Sequence, residues 1–584
     1  MTVPADAADR TDTTPVEAES ESAAEYAEQR RRVLRRRGFA FAFAALVICA
    51  IVMLWPVWAA PLGADQRYMY LYAAGTVQGD WFDIIGIPWS DITSRAEQGR
   101  VTPVGFIVQW FFYTVIMELS VATGTPVVVL HGIQKLMLLG LCVLCVAAFV
   151  KSLRGRGGPD GQLVQLSRST VWLVVAAVVV LAAVGAQTHF QFRNGWLSYP
   201  VLTYGAVIVG FGVPALALWL TRLLAERPHP FRIALAIVAM LTTGVFLNVS
   251  YELYYAAFPA ALLALVLQPT PEGERRRARA AKVATGGVLT LAFLVTFVTI
   301  RIWTASACED ECYVGTDAQV GGETVLTAWY NVASSLPLSG RTEALAGLSN
   351  LSQDSLARPF SSLLTIACVI AGLALVAARI LLQGTSGSGE TASTTRRDAA
   401  EQRAHASAES GALARGAVVA LVLALGSAAV MSVSAQAPEI VLGIGYPYRH
   451  IVVTWVGLCV AGVLALLAID LRVRNRLGVA LWGATAATAV LLAGVMLPIN
   501  LQMTRAENLS GPVSVPETIH REVTLGDPRP EADERRCATL AALAENGVPP
   551  TTEQFITRSV QRAYEHFYGV AYCSDPPASD ASDR

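Results

Sequence analysis

The chain has 584 residues, of which 54% are hydrophobic and only 15% are charged. Soluble proteins carry about 25% charged residues, so this composition excludes an ordinary soluble protein and indicates a surface that faces lipid. The net charge of −1 gives no electrostatic basis for binding nucleic acid.

The N-terminal tail, residues 1–37, is predicted to be disordered and cytosolic. Residues 1–29 are acidic and poor in large apolar side chains, so they cannot bury enough surface to fold. Six arginines between positions 30 and 37 directly precede an apolar run at 38–60. This run is long enough to span a bilayer and the arginines favour the cytosol, so we expect an uncleaved first helix.

Further apolar runs each approach the roughly 20 residues that cross a bilayer core. Together they predict an all-α transmembrane domain over 38–498 with about 11 crossings, and an odd number places the C-terminus outside. After the first run they are 126–150, 169–188, 200–221, 231–250, 251–268, 283–302, 360–381, 413–433, 449–470 and 477–498.

The distribution of positive charge supports this topology. Lys and Arg number 20 in the predicted cytosolic segments after the first crossing, and 8 in the external segments before the C-terminal region. Cytoplasmic loops are enriched in these residues. We therefore expect a protein of the cell membrane with a cytosolic N-terminus and an extracytoplasmic C-terminus.

The segment 103–121 leaves two interpretations open. It is apolar enough to span, but a crossing there would move the basic segment at 151–156 to the outside. Its Trp, Phe and Tyr residues favour the membrane interface. We expect a helix that lies in or against the outer leaflet, within an external loop at 61–125.

The remaining segments predict three further parts. A second external loop covers 303–359, and a cytosolic Gly/Ser/Thr/Ala-rich linker, expected to be flexible, covers 383–412. The external C-terminal region, 499–584, contains two helix-like stretches at 531–546 and 552–569. The continuous run 231–268 is too long for one crossing, and its polar centre predicts two helices joined by an external turn near Glu252.

Four of the nine cysteines lie in the two large external segments, as nearby pairs. This placement favours disulfides Cys308–Cys312 and Cys537–Cys573 in an oxidising compartment. Chance placement is the alternative for both pairs, and a metal site at the intervening residues 309–311 is a further alternative for the first.

Polar residues gather at the external ends of the predicted crossings. Ionisable groups at membrane depth are costly and need a partner, water or a function. Cations outnumber anions at this level, which suits an anionic ligand such as a lipid phosphate. The candidates for phosphate binding are Arg67, Lys135, Arg193, Arg301, Arg449 and His450, and those for acceptor or sugar binding are His131, His189, Asn194 and Tyr448.

Two carboxylates at the same level, Asp65 and Glu252, are the candidate catalytic groups, and Asp65 is also the candidate metal ligand. Structural roles compete with these interpretations. Asp65 could pair with Arg67, Glu252 could be the structural partner of an arginine, and Arg301 could extend to the lipid headgroups.

This layout resembles the multi-spanning GT-C glycosyltransferases, including those of actinobacterial cell walls. Asp65 stands where that family begins its first external loop with an acidic residue. The segment GRVTPVGFIVQWFFY, from Gly99, stands at the entry to an interfacial helix, and HGIQKLMLLG lies in the second crossing before the basic KSLRGR. The chain departs from the family in having a lone Asp65 rather than an acidic doublet, and no His-Pro-Pro before the interfacial helix.

The resemblance implies a GT-C-like fold and the transfer of a sugar from a polyprenyl-phosphate donor to a cell-envelope glycan or lipid acceptor on the outer face of the membrane. Asp65 would deprotonate the acceptor, and basic side chains would stabilise the departing lipid phosphate. No cofactor is certain, and Mg²⁺ or Mn²⁺ is the candidate. The alternatives are a lipid or polysaccharide transporter or flippase, and an envelope polysaccharide polymerase or ligase.

Overall fold

A computed structural model of the chain describes most of the sequence. The described ranges are 44–56, 66–157, 162–186, 199–226, 228–270, 275–308, 320–337, 396–434, 449–473, 475–508, 511–546 and 550–574, with isolated positions at 37, 40, 41, 62, 196, 370–374, 376, 379, 437 and 548.

Within these ranges nearly every element is a helix. The first half contains α1 (Ala44–Pro56), α2 (Gln66–Val77), α3 (Asp83–Ser90), α4 (Ile92–Glu97), α5 (Pro103–Thr123), α6 (Val127–Ser152), α7 (Arg168–Val184), α8 (Pro200–Glu226) and α9 (Pro230–Ser250). The second half contains a 3₁₀ turn (Glu252–Ala256), α10 (Ala257–Leu267), α11 (Arg275–Ala307), α12 (Gly322–Ser334), α13 (Arg396–Ser432), α14 (Ile451–Asp470), α15 (Asn475–Asn508), α16 (Gly511–Leu525), a 3₁₀ turn (Pro530–Ala532), α17 (Asp533–Glu545) and α18 (Pro550–Tyr568).

The long apolar helices identify a multi-pass helical membrane protein. In the described part of the chain, 8 helices are long and apolar enough to cross a membrane, namely α5, α6, α8, α9, α11, α14 and the segments Ala404–Ser432 of α13 and Leu477–Gln502 of α15. Shorter apolar helices are Ala44–Pro56, Arg168–Val184 and Glu252–Leu267. The predicted crossing at 360–381 lies mostly outside the described residues.

The buried apolar side chains form two separate cores. The larger one lies among the apolar helices α1, α6–α11 and α13–α15. The second joins α2, α5 and the first turn of α6 to the C-terminal helices α16–α18. The C-terminal region therefore packs directly on the loop that follows the first apolar segment. We call the end of the bundle beneath this second core the capped end.

Contacts at both ends of α5 lie at or beyond the capped end. A side chain at Gly105 would meet the carbonyl oxygen of Ser250, the last residue of α9, at 2.0 Å. Near the other end of α5, the Ser120 hydroxyl lies 2.8 Å from the Thr524 hydroxyl of α16. These contacts favour a helix lying across the capped end over one that crosses the bundle.

The opposite end of the bundle departs from two predictions. An antiparallel hairpin, β1 (Arg154–Gly157) and β2 (Gln162–Gln165), interrupts the predicted all-α fold. The linker predicted to be flexible over 383–412 is helical from Arg396 onward, as the start of α13. Its alanine-rich sequence favours a helix, and packing fixes it, because the Ser410 hydroxyl donates to the Ala468 carbonyl at 2.8 Å.

Two other predictions are confirmed. The run 231–268 breaks at Tyr251, between α9 and the 3₁₀ turn that begins at Glu252. Both helix-like stretches of the C-terminal region form helices, α17 and α18.

Candidate functional site

A cavity of about 270 Å³ lies at the capped end, where the two cores meet. Its wall comes from chain segments that are far apart in sequence: α2, α4, α5, the start of α8, the end of α9 and Arg449, two residues before α14. The basic lining residues are Arg95, Arg100 and Arg449, and the aromatic ones are Tyr72, Phe106, Trp110, Tyr113, Tyr199 and Tyr251.

Two backbone features shape this cavity. Gly105 brings α5 against the end of α9, where no side chain would fit, since a Cβ atom would come within 2.0 Å of the Ser250 carbonyl oxygen. Tyr199, directly before Pro200, has a left-handed backbone with φ of 52°. Such a conformation in a residue other than glycine costs about 1–3 kcal/mol and persists only where its surroundings enforce it.

A carboxylate beside the cavity orients one of its guanidinium groups. Arg100 Nε lies 3.2 Å from Glu252 Oε1, and Arg100 Nη2 lies 3.4 Å from Glu252 Oε2. Both side chains are about a quarter exposed. This two-point contact fixes the plane of the guanidinium group and occupies both carboxylate oxygens, so Glu252 has the geometry of a structural partner of an arginine.

The second arginine is held by an aromatic ring. Arg95 Cζ lies 3.9 Å from the centroid of the Phe106 ring, a cation–π arrangement. Its Nε lies 3.2 Å from Asp91 Oδ2, one helical turn earlier. Phe106 and Arg95 both line the cavity, so the ring positions this positive charge at the cavity wall.

Ser250 adds a buried hydroxyl group to the cavity wall. Ser250 is buried and lines the cavity, and its Oγ has no hydrogen-bond partner among the described residues. Buried polar groups in native proteins are nearly always hydrogen-bonded. A hydroxyl of this kind, beside guanidinium groups, is ready to bond an oxygen-rich ligand.

The structure brings two of the predicted residues to this site and places two others apart from it. Arg449 lines the cavity and Glu252 supports it. Arg301 does not line it, and its guanidinium lies over Phe297 at 5.4 Å on α11. His450 is buried, and its Nε2 lies 2.9 Å from the Asn331 carbonyl oxygen of α12.

His131 and Lys135 belong to a separate polar layer between the two cores. Both are buried on α6, after Val127 of the second core and before Leu138 of the first. Gln134, also buried, has no partner for either amide atom among the residues described.

This polar layer connects to the cavity through two tyrosines. The Tyr70 hydroxyl is hydrogen-bonded to His131 Nδ1. The Tyr70 ring lies edge-on to the ring of Tyr113, 4.8 Å between centroids, and Tyr113 lines the cavity. The layer and the cavity are therefore neighbours rather than one chamber.

Several predicted residues fall outside the described part of the chain. They are Asp65, His189, Arg193, Asn194 and Tyr448, together with the side chain of Arg67. No group of three metal-binding His, Cys, Asp or Glu side chains occurs among the described residues. The roles predicted for these residues, including the metal at Asp65, stay predictions.

Sequence reasoning missed Arg95, Arg100 and Ser250. The two arginines counted only as external positive charges, although both lie shortly before the aromatic segment that begins at Pro103. Nothing local marks their role, because Glu252 is 152 residues from Arg100. Ser250 was visible only as a neighbour of the polar turn at Glu252.

In the C-terminal region, Cys537 and Cys573 form a disulfide, the pairing that the sequence favours. Cys308 is disulfide-bonded, but Cys312 lies outside the described residues. Comparison with protein-family models found no match to this chain, and comparisons with curated proteins and with solved structures found none either.

Proposed function

We propose that this protein is a membrane glycosyltransferase whose arginine-lined cavity holds the phosphate of a lipid-linked sugar on the outer face of the membrane. The observation that carries the proposal is the convergence of Arg95, Arg100 and Arg449 on one cavity that also presents the Ser250 hydroxyl. Guanidinium groups match phosphate geometry through paired N–H donors.

The aromatic lining fits the rest of such a ligand. Trp110, Tyr72 and Tyr251 offer flat apolar faces with polar edges, which suit a sugar ring or the first units of an isoprenoid chain. The position of the cavity at one end of the bundle suits a donor whose tail stays in the bilayer while its phosphate reaches the headgroup level.

Sugar transfer from such a donor needs charge stabilisation more than any other contribution from the protein. The acceptor hydroxyl oxygen forms a bond to the anomeric carbon as the bond from that carbon to the phosphate oxygen breaks. The electron pair leaves with the lipid phosphate, where the arginines stabilise the added negative charge. The acceptor proton passes to a base, for which Asp65 is the candidate from the family resemblance.

In this proposal Glu252 is a positioning residue. Because both of its oxygens contact Arg100, it is poorly placed to accept a proton from the acceptor. It holds the Arg100 guanidinium ready for the phosphate, so little side-chain freedom is lost when the ligand binds.

The test is a transfer assay in reconstituted membranes with labelled polyprenyl-phosphate sugars. Arg449→Met should lower the second-order rate constant for transfer by about 10- to 100-fold, the worth of one hydrogen bond to a charged group. Arg301→Met is the matched control, because Arg301 lies near the same end of the molecule but outside the cavity, and it should leave the rate near that of the wild type.

Three results would contradict the proposal. Lipid translocation without a new glycosidic bond would indicate a flippase, and transfer of a preassembled block rather than a single sugar would indicate a ligase or polymerase. Equal losses in the Arg449→Met and Arg301→Met variants would remove the cavity from the mechanism. Undiminished transfer by Asp65→Asn would remove only Asp65.

A further inference from the structure

In helix α12, Gly322–Ser334, the polar side chains face the protein and the apolar side chains face outward. Its buried side chains are Thr327, Asn331 and Ser334, which lie on one face at helical spacing. The other face is apolar and exposed: Val325 is 72% exposed, Trp329 70%, Leu326 48% and Tyr330 41%. A helix on the surface of a protein in water has the opposite arrangement.

The polar face of α12 is fixed to the ends of two apolar helices. Asn331 Nδ2 donates to the Ala428 carbonyl at 3.2 Å and to the Ser432 hydroxyl at 2.8 Å, in the last turns of α13. The Asn331 carbonyl lies 2.9 Å from Nε2 of His450, the residue before α14. These contacts place α12 at the level where two candidate membrane spans reach the capped end.

The apolar face of α12 continues a surface that already faces outward. On α13, Val418, Leu421 and Leu425 are each at least 40% exposed, a few residues before the segment that contacts α12. These residues lie within a candidate span, where lipid covers an outward apolar side chain. A helix of 13 residues is too short to cross a bilayer itself, which needs about 20.

We propose that the outward face of α12 is a lipid-binding surface, immersed at the boundary between headgroups and acyl chains on the capped side of the bundle. Trp329 and Tyr330 suit this depth, because such rings prefer the membrane interface. The hydrogen bonds of Asn331 and the buried side chain of Thr327 occupy the inner face. Among the described residues the apolar face is left exposed, and we assign the bilayer as what covers it. This assignment is independent of the proposed enzymatic activity and moves part of the predicted external loop 303–359 into the membrane.

Fluorescence quenching in nanodiscs tests this assignment. Lipids brominated at shallow acyl positions should quench the full-length protein, and Trp329→Tyr, which keeps an amphipathic ring, should remove part of that quenching. The matched control is Trp482→Phe, whose ring is buried next to Asp470 at the other end of the bundle and should contribute little to lipid quenching. The Trp329 contribution should also fall when the bromines move toward the bilayer centre.

Two results would overturn the assignment. If Trp329→Tyr leaves quenching by brominated lipid unchanged but reduces quenching by aqueous iodide, α12 faces water. If it changes neither, a protein surface covers α12. Should Trp329→Tyr fold poorly, Val325→Trp in the wild-type background adds a probe on the same face and must add lipid quenching.

Discussion

The two ends of the helix bundle each contain an arginine–carboxylate pair, and the pairs differ in what surrounds them. At the opposite end, Arg379 Nη2 lies 2.5 Å from Asp470 Oδ1, with both side chains about 5% exposed or less. At the capped end, Arg100 and Glu252 are 3.2 Å apart and about a quarter exposed, beside a cavity. Because the Arg379–Asp470 pair is buried, it can contact only neighbouring protein groups. The Arg100–Glu252 pair is partly exposed, so part of the Arg100 guanidinium group stays accessible to a ligand.

The Arg379–Asp470 pair, which we call the closed pair, is part of the packing between helices. Trp482 Nε1 donates to the second Asp470 oxygen at 3.4 Å, and a side chain at Gly478 would come within 1.9 Å of Asp470 Oδ1. Neither Arg379 nor Asp470 is among the residues that line the cavity at Arg100. An arginine–carboxylate pair thus holds helices together at one end of the bundle and orients an arginine side chain at the other.

The largest expected effect comes from breaking the closed pair. Asp470→Ala leaves the Arg379 guanidinium buried without its carboxylate, which costs about 3–5 kcal/mol. Thermal unfolding of the purified protein in nanodiscs should therefore show a strong loss of stability. The double variant Asp470→Ala with Arg379→Leu should recover most of it, because no buried charge is left. A single variant as stable as the wild type would contradict the comparison.

For the Arg100–Glu252 pair, which we call the open pair, we expect a small effect on stability and a larger effect on function. Glu252→Gln should lower the free energy of unfolding by about 1 kcal/mol or less, because partly exposed pairs contribute little. Transfer should fall by about 10-fold through loss of the charge that orients Arg100. Measuring unfolding and transfer on the same preparation separates the two. Arg100→Lys should reproduce the functional loss, since an ammonium group cannot make the two-point contact. A stability loss as large as that of Asp470→Ala would make the open pair a structural one.

A backbone contact at the capped end gives an intermediate effect. Gly105→Ala places a Cβ atom against the Ser250 carbonyl oxygen, so α5 must move away from α9, at a cost of about 1–3 kcal/mol. Because both residues line the cavity, transfer should fall as well. Gly132→Ala on α6 is the matched control, since nothing lies within 4 Å of its Cβ position. It should be neutral or slightly stabilising by helix propensity. Equal thermal shifts in the two variants would contradict the close approach.

Much of the fold follows from patterns that are local in sequence. The apolar runs predict the long helices, and the polar centre at Asn248–Glu252 predicts the break at Tyr251. The site follows less well, because its residues meet only through long-range packing. Arg100 contacts Glu252, which lies 152 residues later in the sequence. Asn331 of α12 forms hydrogen bonds with residues about 100 positions later. Hydropathy does not identify α12 as a helix with a lipid-facing side, because its apolar residues alternate with the polar ones that contact α13. The sequence pattern therefore assigns this segment to an external loop.

The smallest expected effect concerns a carboxylate in the C-terminal region, outside the bundle. The Ser574 hydroxyl, donating to the Asp533 carboxylate, lowers the pKa of Asp533, with further help from the Ser574 backbone N–H and from Arg536. Since the folded pKa lies below the unfolded value of about 3.9, this contribution to stability is present above that value. It is lost as the pH falls through the folded pKa. Asp533→Asn should therefore flatten part of the decline in unfolding temperature as the pH falls below that unfolded value. Asp527, whose pKa falls to about 2 beside Arg529, is the surface comparison. Asp527→Asn should flatten the same decline too, because the folded-state pKa of that carboxylate is also lowered. A profile for Asp533→Asn as steep as the wild type's would mean that the Ser574 contact does not persist in solution.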